Sequence, residues 1–253
     1  MNTLQTTGIV LKEYNFSEAD KLFIVFTKNR GKITCTAQGI RKSRSKMRGF
    51  LQLFSYSSLH LYHGKVMYKV IGGEIINAFP NIKEDLLIYS YANYITEILN
   101  NILPNDEPNK RVFVLTVSIF HLMGVLPLSQ LSSIFILKLL KHTGFLPELF
   151  KCLKCRQIIN KPVYFSYLDG GCVCCSCGSE DQHNEIIPAN ILKIMQRLLT
   201  MDLETAERLK LNLKDQLAVE EILNRYLEGI IEKSLNSRNF IKELQSTDGY
   251  QQP

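Results

Sequence analysis

The sequence predicts an α+β protein: a small all-β barrel at the N-terminal side, then a helical region with a four-cysteine module set into it. Three observations predict this. The first 80 residues carry runs of alternating apolar and polar side chains separated by turn residues. From Lys83 onward, apolar residues recur at helical spacing. Six of the seven cysteines crowd between Cys152 and Cys177.

Five strands are expected, over Thr7–Tyr14, Leu22–Thr27, residues 31–38, Phe50–Tyr62 and Val66–Ile75. In 31–38, Ile33, Cys35 and Ala37 share one face, while Lys32, Thr34, Thr36 and Gln38 share the other. Such period-two patterning marks a half-buried strand. Asn29-Arg30-Gly31 and His63-Gly64 read as hairpin turns. Five short strands with turns between them suit an OB-fold, a five-stranded barrel that commonly binds oligonucleotides. In the fourth strand Leu51, Leu53, Leu59 and Leu61 should line the barrel, leaving Phe50, Gln52, Phe54, Tyr56, His60 and Tyr62 outside. Outward rings such as Tyr56 and Tyr62 either stack on bases or pack against a neighbouring domain. A bulge at Ser55–Ser58 would exchange the two faces.

Charge singles out this segment. The net charge of the 253 residues is +6. Residues 1–80 hold twelve Lys/Arg against four Asp/Glu, net +8, and the remainder is net −2. Such asymmetry points to an anionic partner for the barrel. The stretch Gly39–Gly49 puts Arg41, Lys42, Arg44, Lys46 and Arg48 within eight residues, with Ser43 and Ser45 among them. It has almost nothing apolar to bury and is expected to be a solvated loop that contacts phosphates. Lys28, Arg30 and Lys32, at the preceding turn, extend the basic surface.

The helical region begins with Lys83–Leu103, where Leu87, Tyr91, Tyr94, Ile95, Ile98, Leu99 and Ile102 form one stripe and Pro104 ends it. Asn109–Gly124 and Leu128–His142 are similarly apolar. Pro188–Thr200, Leu203–Leu211 and Asp215–Leu235 are further helix candidates. In the last of these, Asp215, Glu220, Glu221, Glu228 and Glu232 give one polar side, and the tail from Ser246 is expected to fray. The domain division expected is residues 1–80 for the barrel and 81–253 for the helices, with the cysteine module at about 147–180.

Cys152-Leu-Lys-Cys155 and Cys174-Cys-Ser-Cys177 are two C-x-x-C pairs with 18 residues between them, a zinc-site spacing. Each tight turn supplies two thiolates, and two turns close a tetrahedron. Four sulfurs leave no open position, so the predicted Zn²⁺ is structural. Cys172 and Cys175 offer a second register of the same spacing; Gly178, free to turn left-handed after Cys177, favours Cys174 and Cys177. His183 is a weaker alternative ligand, and Cys35 belongs to the strand core.

No phosphate-cradling G-x-x-x-x-G-K-[ST], no G-x-S-x-G and no H-E-x-x-H occurs. The five histidines are scattered, and the acidic pairs Asp106-Glu107 and Glu180-Asp181 sit in loop-like stretches. Not being an enzyme is the expectation; a nuclease-like enzyme with a zinc module is the alternative, separated by a metal-dependent cleavage assay. The opening MNTLQTTGIV has no secretory pattern and no apolar run is long enough to span a bilayer, so a cytoplasmic location without membrane contact is expected.

Taken in order, the motifs carry a resemblance. Thr7-Gly8-Ile9-Val10-Leu11, Ser17-Glu18-Ala19-Asp20-Lys21-Leu22, Thr27-Lys28 before Arg30-Gly31-Lys32, and Gly39-Ile40-Arg41-Lys42 come first. Gly144-Phe145-Leu146-Pro147, Cys152-x-x-Cys155 and Gly170-Gly171-x-x-Cys174-x-x-Cys177 follow. Over nearly the whole chain this resembles the bacterial recombination mediator family RecO, departing from it in the additional Cys172 and Cys175. The resemblance implies a nucleoid-associated DNA-repair factor that binds single- and double-stranded DNA and anneals complementary strands. It further implies contact with the C-terminal tail of single-strand binding protein, and partnership with RecR in loading the recombinase RecA.

Overall fold

The computed structural model describes residues 2–159, 161–178 and 185–246. They form two compact units. One holds the residues up to Gly124 together with those from Leu235 on, and the other holds Val125–Ser234.

The first unit is built on a closed barrel. Strands β1 (Thr3–Asn15), β2 (Lys21–Thr27), β3 (Gly31–Ala37), β4 (Tyr56–His63) and β5 (Tyr68–Asn77) close in the order β1-β2-β3-β5-β4. All neighbours are antiparallel except β3 and β5, which meet in parallel at Cys35↔Tyr68 and Thr36↔Lys69. One thirteen-residue strand serves two partners: β1 pairs β2 from Gly8 onward and β4 from Thr3 to Ile9, and an irregularity between Val10 and Lys12 bends it. Closure leaves no strand edge to pair with another chain. Val10, Phe23, Val25, Ile33, Cys35, Leu59, Leu61 and Val70 fill the interior. The β2–β3 turn demands Gly31, with φ +67° and room for no Cβ, since one would lie 2.1 Å from the Glu107 carbonyl oxygen. This is the five-stranded barrel that the alternation predicts.

The fourth strand is shorter than its pattern suggests. Lys46–Gly49 form a 3-10 turn, and β4 starts only at Tyr56. The Ser55 and Ser57 hydroxyls both donate to the Phe50 carbonyl, at 2.9 and 2.6 Å, and fold residues 50–55 back on the strand. Phe50 and Leu51 thereby both enter the barrel core. Phe54, at φ 68°, turns the other way and packs edge-on against Tyr89 and Phe120. Within β4 itself the inward residues are Ser57, Leu59 and Leu61, as the alternation requires.

Four helices pack with the barrel: α1 (Pro80–Glu84), α2 (Leu86–Ile102), α3 (Lys110–Leu122) and α8 (Asn236–Ser246). The single helix expected over Lys83–Leu103 is broken at Asp85, whose carboxylate accepts from Ile88 N–H at 2.9 Å and caps α2. Asn109 caps α3 in the same way, at 3.1 Å from Val112 N–H. Helix α8 lies between the last helix expected, Asp215–Leu235, and the tail from Ser246, in a stretch to which the sequence reading assigns no element. Its first N–H groups, from Asn236 and Ser237, donate to the Glu97 carboxylate of α2 at 3.3 and 2.9 Å.

The second unit centres on α4 (Leu128–Thr143), buried on nearly every side and closed by Gly144 at φ 84°. A three-stranded sheet in the order β7-β6-β8 follows, from β6 (Val163–Ser166), β7 (Gly171–Cys174) and β8 (Glu185–Ile187). A short turn of helix, α5 (Cys175–Gly178), joins β7 directly. Helices α6 (Ala189–Thr200) and α7 (Leu213–Ile231) complete the unit, while Leu203–Arg208 is a 3-10 turn rather than an α-helix. Helix α7 ends at Glu232, φ 58°. Glu220 is not on a solvated face: it is buried and accepts from the Ser132 hydroxyl of α4 at 2.6 Å. None of the described helices is long and apolar enough to cross a membrane.

Candidate metal centre and nucleic-acid interface

The first cysteine turn is locked by its own backbone. Cys152 N–H donates to Gln157 O and Arg156 N–H to Cys152 O, both at 2.9 Å, with Arg156 left-handed at φ 62°. The second turn is delivered by the β6–β7 hairpin, which Gly170 (φ 72°) allows to reverse. Two ladder bonds stitch the turns together: Cys172 N–H to Glu148 O at 2.8 Å and Leu153 N–H to Cys172 O at 2.9 Å. The sheet is held on α7 by Arg225, which lies 4.4 Å over the Tyr167 ring and 3.0 Å from a Glu185 carboxylate oxygen.

These constraints bring the sulfurs of Cys152, Cys155, Cys174 and Cys177 within 4.8 Å of one another. Cys155 and Cys174 sulfurs are 3.8 Å apart. Bonds of about 2.3 Å from one ion to four tetrahedral sulfurs would set the same spacing, about 3.8 Å. Cys174 N–H points at the Cys152 sulfur at 3.4 Å. Burial pushes the Cys152 thiol up, but N–H groups from Cys174, Cys155 and Lys154 outweigh it and bring the thiol down to about 6. Cys177 is held up at about 12 by hydrogen bonds with the Cys174 and Cys155 side chains. The four cysteines could hold a metal ion.

Cys172 and Cys175 stand outside the cluster. The Cys172 side chain is fully buried, and burial, then Glu148, pushes its thiol up to about 12. The Cys175 thiol donates to Pro162 O at 3.1 Å. Gly178 is not left-handed; it is glycine because the Tyr164 ring leaves a Cβ only 2.6 Å. His183 and the Glu180-Asp181 pair lie outside the described residues.

The basic residues of the barrel divide into groups. Arg41, Lys42, Arg44, Lys46 and Arg48 all lie exposed in the β3–β4 loop, and none is ion-paired among the described residues. The loop is more fixed than its charge suggests. Ile40 is buried in the barrel, Arg41 N–H donates to Ala19 O at 3.0 Å, and Gly39 N–H donates to the Asp20 carboxylate at 2.8 Å. Lys28 and Arg30 are exposed in the β2–β3 turn. That turn and the loop sit at opposite ends of β3, so seven residues of strand, about 20 Å, separate the two groups.

Two residues expected at the surface face elsewhere. Lys32 is buried; its ammonium donates to Asn100 O of α2, and burial lowers its pKa. Tyr56 is half-buried, edge-on to Phe113 of α3 with centroids 5.9 Å apart, so its ring belongs to packing. Tyr62 is exposed. Tyr14, near the end of β1, and Phe16, in the β1–β2 turn, are also exposed, and the Ser17 carbonyl of that turn accepts from Arg41. An aromatic beside a turn of small and acidic residues, Phe16-Ser-Glu-Ala-Asp, was the available signal.

Comparison with known proteins covers nearly the whole chain. Residues 1–79 match the family model "Recombination protein O N terminal", and residues 83–239 match "Recombination protein O C terminal". The chain is 30% identical to the DNA repair protein RecO of Acetivibrio thermocellus, over 96% of this chain and 98% of that one. It is 32% identical to the DNA repair protein RecO of Alkaliphilus metalliredigens, over 94% and 96%. With the DNA repair protein RecO of Clostridium acetobutylicum the identity is 32%, over 96% and 100%.

Proposed function

This chain belongs to the RecO family of DNA repair proteins, and on that premise we propose that it is a recombination mediator that binds DNA through its barrel and anneals complementary strands. A role in DNA repair and recombination follows from the family itself. Within that role, the protein works with RecR and with the C-terminal tail of single-strand binding protein to load RecA onto coated DNA, in the cytoplasm at the nucleoid. Residues 1–80 act as the nucleic-acid-binding domain, contacting single- and double-stranded DNA through Arg41, Lys42, Arg44, Lys46 and Arg48. Lys28, Arg30 and Tyr62 contribute from other parts of the barrel surface. The module at about 147–180 holds one structural Zn²⁺ through Cys152, Cys155, Cys174 and Cys177, four thiolates being a donor set that suits zinc.

The observation that carries this reading is the β3–β4 loop: five exposed cations on a closed barrel, none of them ion-paired among the described residues. Two strands that anneal must each lose phosphate repulsion, and a dense cationic loop supplies the counter-charge to both. A bound Zn²⁺ would supply folding energy to the cysteine module, with no open position for chemistry. No observation favours the nuclease alternative: Asp106 and Glu107 are exposed, and the relatives are named for DNA repair.

The test is annealing of complementary oligonucleotides without ATP, naked and coated with cognate single-strand binding protein. Annealing in both states is expected. Absence of binding to naked DNA at low salt would overturn the reading, and metal-dependent cutting would replace it with the nuclease.

A further inference from the structure

A cavity of about 460 Å³ opens beside the basic loop, between it and the β1–β2 hairpin. That volume lies in the ~300–1,000 Å³ range of small-molecule sites, where a flat surface patch for backbone phosphates would offer no cavity at all. Its floor is apolar, from Ile40, Leu51 and Leu53, and its rim carries Arg41 and Arg48. These two arginines differ from the other loop cations. Arg41 Nη1 donates to Ser17 O at 2.9 Å, and Arg48 Nη2 donates to Lys42 O at 3.0 Å and to Ser43 O. Backbone carbonyls therefore fix each guanidinium in place while leaving most of its five N–H donors free. Lys21 also lines the cavity, but its charge is met by Glu13 at 2.7 Å. The cavity thus offers two oriented forks, one satisfied ion pair and an apolar floor.

We propose that this cavity is a seat for a single nucleotide of the bound strand, its phosphate held by the Arg41 and Arg48 guanidiniums and its sugar and base lying on Leu51 and Leu53. The assignment rests on the DNA-binding reading above and names a role within it. Guanidinium forks match phosphate geometry in two-point contacts, which an ammonium cannot reproduce. Lys42, Arg44 and Lys46 then supply counter-charge without geometry. A seated nucleotide is taken out of the base stack, so the protein grips single strands at one defined unit and duplex only by its backbone.

The experiment uses the full chain and a short thymidine oligonucleotide carrying one 2-aminopurine, whose emission rises when the base leaves its stack. With the parent protein, emission is expected to rise on binding. Charge-preserving R41K/R48K should bind about tenfold more weakly, a loss of about 1.4 kcal/mol, with the salt dependence unchanged and the emission rise abolished at saturation. K42Q/R44Q/K46Q should flatten the log–log salt slope by about 2 while keeping the rise, three single-strand phosphate contacts being lost. If the parent binds DNA without any rise in emission, or R41K/R48K keeps it, the cavity is not a nucleotide seat and the DNA-binding reading stands. If the parent does not bind DNA, both fall. The parent measurement needs no variant to fold, so a misfolded R41K/R48K does not remove the test.

Discussion

At the scale of single residues, type and placement often disagree, and burial decides. Lys32 has the charge and position of a phosphate contact, yet its ammonium is spent inside the unit on Asn100 O. Replacing Lys32 with Gln should therefore leave the salt slope of DNA binding unchanged and lower stability by about 1 kcal/mol, read from denaturant unfolding. A slope reduced by one contact would return Lys32 to the interface. The folded pKa of Lys32 is depressed, so its contribution is largest above the unfolded value of 10.5 and is lost as pH falls through the lowered folded value. Among the cysteines, spacing alone allows two registers. The distinction lies in which sulfurs the hairpin turns toward the first knuckle, a three-dimensional fact. Cys155→Ser and Cys174→Ser should abolish stoichiometric zinc, whereas Cys172→Ser and Cys175→Ser should retain it, measured by metal analysis of the purified protein. Retention in the first pair would sink the assignment. At this scale the candidate metal ligands were legible and the aromatic contacts were not, because Tyr56 and Tyr62 share a strand face and only α3 tells them apart.

At the scale of elements, periodicity carried the argument well where one face met one core. Strands β2 and β3 and helices α3 and α4 fall within a few residues of where their patterns place them. It failed where a polar side chain cut the pattern. Asp85 interrupts an otherwise continuous helical stripe because a carboxylate accepting from Ile88 N–H serves a new helix start better than a helix interior. Asp85→Ala should cost about 1 kcal/mol of stability, the usual loss for a cap. An unchanged unfolding midpoint would show that the α1–α2 break is set by packing instead. Residues 50–55 failed for a different reason: alternating apolar residues there serve both the barrel and α2–α3, so two cores compete for one run. Helix α8 has a weak apolar content, and its position depends on Glu97, more than a hundred residues earlier in the chain. Glu97→Ala should release α8, seen as faster amide exchange over Asn236–Ser246 with α2 still protected.

At the scale of the whole molecule, the basic loop and the four-cysteine cluster belong to different units. The unit bearing the barrel carries the basic loop, and the Val125–Ser234 unit carries the cysteine cluster. Stripping the metal with a chelator should lower the thermal transition of the cysteine-bearing unit while leaving the salt slope of DNA binding intact. Loss of both together would show that the cluster organises the DNA-contacting surface as well. The overall α+β class, the five-stranded barrel and the cysteine module were all readable from the chain because each has a short-range signature. The grouping of the last helix with the first unit has none.

That grouping has a consequence during synthesis. The barrel and α2 emerge from the ribosome long before α8, the segment that completes their unit, while Val125–Ser234 is contiguous and has all its residues at hand earlier. Folding can therefore finish out of order, the later-made unit first. Until α8 arrives, the Glu97 side of α2 stays uncovered on the nascent chain.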